Sequence, residues 1–227
     1  WVTKGFDPDN GKLLHESFSQ KFPDHYPCVI SGPTFAAEIV EKKPAAIVVA
    51  SKDKTTRDFW AETIQTSNLR AYTSSDIVGV QVGGSVKNIL AIAAGIANGL
   101  GFGANTQAAL ITRGLAEMTR LGVALGADKA TFQGLSGMGD LVLTCSDDLS
   151  RNRRFGKELA NNISTDKALK NINATVEGFK AIKLVIMIAN NHQVEMPICA
   201  QVLAVTEGRT TPRKAVNELL LRKPGEE

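Results

Sequence analysis

A long apolar stretch with regularly spaced small residues constrains this chain more than any other feature. A helix that is apolar nearly all round, as residues 76–99 would be, belongs in a protein core. Residues at every fourth position share one ridge of such a helix. The stretch therefore predicts a buried central helix with a ridge made of Gly79, Gly83, Lys87, Ala91, Gly95 and Gly99.

This ridge is costly unless something packs closely against it. Glycine lowers helix stability by roughly 1 kcal/mol relative to alanine, and the usual compensation is close approach of another backbone or of a ligand. Lys87 is the one charged side chain on the ridge, and an unpaired buried charge is expensive. Lys87 therefore either reaches solvent at a helix-packing edge or takes part in chemistry.

Composition excludes several classes of protein. The 227 residues are 43% hydrophobic and 22% charged, as in ordinary soluble domains, and a net charge of +3 does not indicate a nucleic-acid partner. The glycines, lysine and asparagine within residues 76–99 argue against a membrane span. The start of the chain resembles no signal peptide and lacks an initiator methionine, so we expect a chain entered partway through.

The cysteines and histidines form no recognisable site. Three widely separated cysteines argue against disulfides or zinc and fit a reducing compartment. The three histidines are scattered, so no histidine-based triad is expected. We therefore predict no metal site.

The pattern of predicted elements changes near residue 75. Before it, apolar strands alternate with helices, which predicts a parallel or mixed α/β sheet. After it, nearly everything is helical, so we predict an α/β domain over 1–75 followed by an all-α domain over 76–227. Strands are predicted at 2–5, 26–31, 45–50 and 69–73, with helices at 9–20, 35–41 and 55–66. Helices follow at 76–99, 105–125, 129–133, 139–144, 150–160, 175–190, 198–206 and 212–221, and a frayed polar tail at 222–227.

A turn after the second predicted strand is a candidate ligand site. Open α/β sheets bind ligands beyond the carboxyl ends of their strands. The Thr34 hydroxyl and the free N–H groups that follow Gly32-Pro33 can hold a phosphate or a carbonyl oxygen. The alternative is an ordinary tight turn, and the motif alone is a weak signal. Lys4 also follows a strand end and is expected to border the same crevice.

A cluster of arginines begins a later helix. Ser150 is a good N-cap, which places Arg151 and Asn152 in the first turn, and Asn105 with Thr106 is expected to cap helix 105–125 in the same way. Cations are disfavoured at that end by the helix dipole, so arginines there indicate a bound anion. The alternative is surface pairing with Asp147, Asp148 or Glu158.

Two acids complete the set of candidates. Asp140 stands alone in an apolar run and can either cap the following helix or pair with Lys87. Glu177 begins a helix, where the dipole favours an acid in any case. Cations aimed at an anion, one lysine in a small-residue slot and one buried acid together fit a small phosphorylated substrate.

Several longer motifs resemble one known family. They are Ile30-Ser31-Gly32-Pro33-Thr34-Phe35-Ala36, Gly84-Ser85-Val86-Lys87-Asn88, Gly101-Phe102-Gly103-Ala104-Asn105, Ala109-Leu110-Ile111-Thr112-Arg113-Gly114, Gly137-Met138-Gly139-Asp140-Leu141 and Ser150-Arg151-Asn152-Arg153-Arg154-Phe155-Gly156. In order and spacing they resemble the bacterial NAD(P)-dependent glycerol-3-phosphate dehydrogenases. That resemblance implies a Rossmann domain followed by a helical substrate domain. The sequence departs from the family in having no G-x-G-x-x-G after a strand, so we expect it to lack the first part of the Rossmann domain.

The resemblance also implies roles for individual residues. Lys87 matches the catalytic lysine, which exchanges a proton with the ketone or hydroxyl oxygen. Substrate-binding positions correspond to Lys4, Gly32, Thr34, Lys87, Asp140, Ser150, Arg151 and Asn152. Cofactor-binding positions correspond to Lys4, Ala36, Arg151, Thr175 and Glu177.

The implied function is reversible hydride transfer between sn-glycerol 3-phosphate and dihydroxyacetone phosphate, supplying glycerol 3-phosphate for phospholipid synthesis. The expected cofactor is NAD or NADP, with NADPH favoured, and the expected protein is a cytoplasmic homodimer. Two alternatives are a related dehydrogenase of a hydroxy acid or sugar acid, and a non-catalytic helical dimerisation fragment. The first would need a carboxylate at the anion site, and the second leaves the retained site residues unexplained.

Overall fold

A small mixed sheet forms the first part of the molecule. The computed structural model describes residues 1–222, so the predicted tail beyond Arg222 lies outside the described residues. Strand β2 pairs in parallel with β3 and antiparallel with β1, in the order β1-β2-β3. This confirms the predicted mixed sheet. Its elements are α1 (Leu14–Lys21), β1 (Val29–Ser31), α2 (Ala36–Val40), β2 (Ala45–Ala50), α3 (Lys54–Ile64) and β3 (Leu69–Ser74).

Two expectations about this part are wrong. Residues 2–5 form no strand, because only Trp1 makes ladder-like bonds: its ammonium donates to the Cys28 carbonyl and its own carbonyl accepts from the Ile30 amide, both at 2.9 Å. The Gly32 turn does not follow a parallel strand either. Because β1 runs against β2, with Ser31 opposite Val48, this turn lies away from the carboxyl ends of β2 and β3.

The central helix α4 (Ile77–Gly99) is the predicted one, and Asp76 caps it by accepting from the Gly79 amide at 2.8 Å. By length and composition alone it could cross a membrane, but 94% of its most apolar window is buried within the protein. It is the core helix of the fold. The apolar core collects around it, from Val82 to Ile96.

The glycine ridge is explained by close approach of other backbone segments. A methyl group at Gly83 would lie 2.5 Å from the Ser136 carbonyl oxygen, and one at Gly95 would collide with the Arg153 carbonyl. Both positions must therefore stay small. These contacts compensate the low helix propensity of glycine and bring the segments around Ser136 and Arg153 against α4.

Most of the remaining helices pack against α4, whereas two short helices, α8 (Thr165–Ile172) and α11 (Pro212–Leu220), pack on α7 (Arg151–Ala160) and α10 (Pro197–Thr206). The structure adds two helices that the sequence did not predict, the π-helix Leu135–Gly139 and α8, whose short sequence is largely polar. Asn105 and Thr106 do not cap α5: the helix begins one residue before them, at Ala104, and its cap position is Gly103. The bounds are α5 (Ala104–Ala124), a 3₁₀ helix (Lys129–Gln133), a π-helix (Leu135–Gly139), α6 (Asp140–Ser146), α7 (Arg151–Ala160), α8 (Thr165–Ile172), α9 (Glu177–Asn191), α10 (Pro197–Thr206) and α11 (Pro212–Leu220).

Candidate active site

Lys87 is buried on the ridge of α4 and held by two neighbours. Its ammonium donates to the Asp140 carboxylate and to the Thr144 hydroxyl, the latter at 3.2 Å. The side chain of Lys87 is 8% exposed and that of Asp140 is 1% exposed. Of the two interpretations of Lys87, the one in which it extends to solvent is therefore wrong.

A second lysine completes this cluster. Lys4 Nζ lies 3.5 Å from the other oxygen of Asp140. Its aliphatic stem rests on α4, where a methyl group at Gly84 would be only 3.0 Å from Lys4 Cδ. The small residue at Gly84 thus makes room for Lys4, and one buried carboxylate faces two ammonium groups.

Asp140 does not act as a helix cap. The cap position of α6 is Gly139, and Asp140 is the first helical residue. Thr144 lies one turn later on the same face, where its hydroxyl donates to the Asp140 carbonyl at 2.6 Å. The start of α6 therefore presents both partners of Lys87 from a single turn.

The environment tunes the acidity of Lys87. Burial favours the neutral amine and lowers the pKa of Lys87 from 10.5 to about 8. The Asp140 carboxylate opposes this change by stabilising the ammonium, whereas the Lys4 charge reinforces it. A pKa near 8 suits a group that gives and takes protons close to neutral pH.

The N-terminus of α7 separates its arginines by role. Ser150 caps the helix as predicted, its hydroxyl accepting from the Arg153 amide at 3.2 Å. Arg153 pairs with Asp148, one of the acids that the alternative named, but its side chain is buried rather than on the surface. Arg151 is exposed and makes no ion pair with any residue between 1 and 222. Its guanidinium is available to a ligand.

Hydrogen bonds connect α7 to α4 and α9 through buried amide groups. The Asn152 amide donates to Asn88 at 3.0 Å, and Asn88 donates to the Glu177 carboxylate at 2.9 Å. These bonds join Glu177 and the residue that follows Arg151 to the residue that follows Lys87. Thr175 is exposed just before α9.

The Gly32–Thr34 turn approaches the same region from the sheet side. Pro33 Cγ lies 3.7 Å from the position of a methyl group at Gly139, next to Asp140. The Thr34 hydroxyl makes a long hydrogen bond to the Gly32 carbonyl at 3.4 Å. Ala36 is exposed at the first position of α2.

The three cysteines are buried and poorly suited to chemistry at this site. Cys28, Cys145 and Cys199 are free and buried, and burial raises the pKa of the Cys145 thiol to about 12. A thiol with that pKa stays protonated near neutral pH and is a poor nucleophile. No group of three His, Cys, Asp or Glu side chains within residues 1–222 is arranged to hold a metal.

Sequence reasoning missed two residues of the site. Thr144 carries no motif of its own, but its position four residues after Asp140 on a predicted helix was a usable signal. Asn88 belongs to one of the family-like motifs, but no role was predicted for it, and only the contacts across α7 and α9 give it one.

Comparison with known proteins identifies the family. The model of the C-terminal part of NAD-dependent glycerol-3-phosphate dehydrogenase matches residues 76–217, and that of the N-terminal part matches residues 1–57. The chain belongs to the NAD(P)-dependent glycerol-3-phosphate dehydrogenase family. It is accordingly an oxidoreductase that uses NAD or NADP as cofactor.

Individual relatives agree with this assignment. Glycerol-3-phosphate dehydrogenase [NAD(P)+] of Ruthia magnifica is 64% identical over 223 residues, which cover 98% of this chain and 69% of the relative. The enzyme of the same name from Vesicomyosocius okutanii is 61% identical, with coverage of 98% and 68%. The chain thus spans about two thirds of the length of these dehydrogenases.

Solved structures support the fold. The glycerol-3-phosphate dehydrogenase of Coxiella burnetii superposes with a TM-score of 0.95 at 42% identity, over 98% of this chain and 68% of that one. The Dunaliella salina dehydrogenase matches with a TM-score of 0.86 at 22% identity, covering 95% of this chain and 39% of that one. The more distant match speaks for a shared fold alone. A Rossmann-like α/β start followed by a helical part is therefore the architecture of this chain, as predicted.

Proposed function

We propose that this dehydrogenase interconverts dihydroxyacetone phosphate and sn-glycerol 3-phosphate at the cluster around Lys87. The observation that carries the proposal is a buried lysine with a pKa of about 8, hydrogen-bonded to Asp140. The next residue, Asn88, is hydrogen-bonded to the first turn of α7, where Arg151 makes no ion pair with residues 1–222. Such a site can exchange a proton with a carbonyl oxygen and hold an anionic group of the same small molecule.

In reduction, Lys87 is the proton donor. Its Nζ gives a proton to the ketone oxygen as the carbonyl carbon receives a hydride, and in oxidation the neutral amine takes the hydroxyl proton back. Asp140 and Thr144 orient the ammonium, and the nearby charge of Lys4 lowers the pKa of Lys87, which eases release of its proton. Gly32 and Thr34 border the substrate from the sheet side.

The phosphate is proposed to bind at the start of α7. The first N–H groups of a helix have no partner within the helix and favour an anion. The Arg151 guanidinium adds a charge-assisted hydrogen bond at that end. Ser150 shapes this turn as the cap, and the backbone N–H groups of Arg151 and Asn152 are proposed to donate to the same anion.

The exposed side chains around the site fit a dinucleotide. Arg151 offers a cation for a phosphate or carboxamide oxygen, and Thr175 and Glu177 offer hydroxyl and carboxylate groups for ribose hydroxyls. Lys4 and the small Ala36 complete the proposed contacts. When bound, the nicotinamide supplies or accepts the hydride, and the protein contributes position and charge.

The wider context follows the resemblance. We propose that the product serves phospholipid synthesis in the cytoplasm, that NADPH is the preferred cofactor, and that residues 1–75 and 76–227 act as separate domains.

We also propose a homodimer. An apolar groove of about 1130 Å³ lies between α5, α10 and α11, and its lining includes Leu110 and, from α4, Ile96. Leu220, which also lines it, is 73% exposed. Because exposed apolar patches of this kind mark interfaces, a second copy is expected to cover it.

Turnover of Lys87→Ala tests the proposal. In the enzyme that carries this chain, this variant should fold normally and lose at least ~100-fold in kcat with dihydroxyacetone phosphate. Lys183→Ala, a change of an exposed lysine on α9, is the control and should retain activity. Near wild-type turnover of Lys87→Ala would contradict the assignment, and preferential oxidation of hydroxy acids would favour the alternative dehydrogenase. Sedimentation of wild type against Leu220→Glu separately tests the dimer.

A further inference from the structure

Four polar groups form a closed hydrogen-bonded circuit beside the proposed site. The Gly178 amide donates to Asn152 Oδ1 at 2.9 Å. Asn152 Nδ2 donates to Asn88 Oδ1 at 3.0 Å, and Asn88 Nδ2 donates to Glu177 Oε2 at 2.9 Å. Because Glu177 and Gly178 are consecutive, the chain itself closes the circuit, which joins α4, α7 and the start of α9.

The direction of every bond in this circuit is determined. A main-chain N–H can only donate, so Gly178 makes the Asn152 oxygen an acceptor and turns its NH₂ group toward Asn88. The Asn88 oxygen must then accept, which leaves its NH₂ group for the Glu177 carboxylate. The ionised Glu177 carboxylate has no hydrogen to donate, so it can only accept. Each amide is thereby locked in one orientation.

The two asparagine side chains of the circuit are buried and tightly packed, whereas Glu177 at its edge is exposed. Asn88 is 5% exposed and Asn152 is 7% exposed. A methyl group at Gly178 would lie 2.5 Å from the Asn88 carbonyl oxygen and 3.0 Å from Asn152 Oδ1. Only glycine at this position lets α9 approach closely enough for the bonds to form. Buried polar groups that are fully paired in this way hold the surrounding backbone in one arrangement.

Each side chain of the circuit either has a proposed role in the site or directly follows a residue that has one. Asn88 follows Lys87, Asn152 follows Arg151, and Glu177 is itself a proposed cofactor contact. We propose that Asn88 is a positioning residue that sets the spacing between the phosphate-binding start of α7 and the cofactor-facing start of α9. This inference rests on the proposed function. It also assigns the side chain of Asn152 to the circuit, with only its backbone N–H left for the substrate.

A reversal of polarity at one bond of the circuit tests this role. Asn88→Asp removes the donor and sets two carboxylates against each other. It should raise KM for dihydroxyacetone phosphate by about ten- to a hundredfold, the scale of a lost charge-assisted hydrogen bond. The effect should be much smaller for dihydroxyacetone, which has no phosphate to misplace.

Glu177→Gln in the same molecule supplies a donor that faces the new carboxylate. The donor that Asn88→Asp removed then returns from the opposite side, and the carboxylate introduced by Asn88→Asp still accepts from Asn152. Added to a protein that already carries Glu177→Gln, Asn88→Asp should therefore cost no more than about threefold in KM at saturating cofactor. This is a double-mutant cycle on one hydrogen bond. Asn190→Asp, at an exposed position of α9, is the matched control and should change neither constant.

The outcomes separate this inference from the proposed function. A wild-type enzyme that does not reduce dihydroxyacetone phosphate overturns both. An active wild type in which Asn88→Asp costs the same with and without Glu177→Gln, or affects both substrates equally, overturns the positioning role alone. Recovery confined to the double variant and to the phosphorylated substrate supports it.

Discussion

Asp140→Asn is expected to move the pH dependence of turnover to lower pH. Reduction needs the protonated form of Lys87, so kcat for dihydroxyacetone phosphate should fall as pH rises through the pKa of about 8. Asp140 raises that pKa by stabilising the ammonium. Removing its charge therefore leaves burial and Lys4, both of which lower the pKa of Lys87.

The size of this change follows from the geometry. Two unit charges about 4 Å apart interact with ~4 kcal/mol at an effective dielectric constant of about 20, and one pKa unit corresponds to about 1.4 kcal/mol. Reorientation of the asparagine and entry of water will offset part of this energy. We expect the midpoint of the kcat–pH profile to fall by at least ~1 unit.

Lys4→Met provides the opposite perturbation in the same cluster. Its ammonium, 3.5 Å from Asp140, lowers the pKa of Lys87. Replacement by an uncharged side chain of similar length should move the midpoint to higher pH. The assay is kcat for reduction, measured against pH at saturating substrate and NADPH. If both variants shifted the midpoint in the same direction, or lowered kcat without moving it, Lys87 would not be the titrating group.

Three further results are expected. Arg151→Ala should raise KM for dihydroxyacetone phosphate by about ten- to a hundredfold, with Arg151→Lys recovering only part because an ammonium lacks the planar fork; an equal loss with dihydroxyacetone would move the phosphate elsewhere. Gly95→Ala should lower the free energy of unfolding by about 1–3 kcal/mol, measured by denaturant titration, because its methyl group meets the Arg153 carbonyl. Gly103→Ala has open space and should change it by less than about 1 kcal/mol. The isolated 227-residue chain has no glycine fingerprint after a strand and should bind NADH or NADPH weakly by calorimetry; a low-micromolar Kd would contradict this.

Local patterns determined the elements of the fold and the identity of the central residues. The periodicity of residues 76–99 predicted a buried helix, and the structure has it as Ile77–Gly99. Ser150 as a cap, strand β2 and the change from α/β to all-α near residue 75 were equally local signals. They could be predicted because helix period, capping preference and apolar runs depend on neighbours in the sequence.

Only the tertiary structure decided which polar groups meet. The sequence left two interpretations of Asp140 open, cap or partner of Lys87, and the packing of α6 on α4 decides for the second. The sequence also does not distinguish the roles of Arg151 and Arg153, and only the structure shows that Asp148 pairs with Arg153. The circuit of Asn88, Asn152, Glu177 and Gly178 contains a hydrogen bond between residues 89 positions apart, Asn88 and Glu177. Such contacts depend on the angle and spacing of whole helices, and these are set by long-range packing that no local pattern encodes.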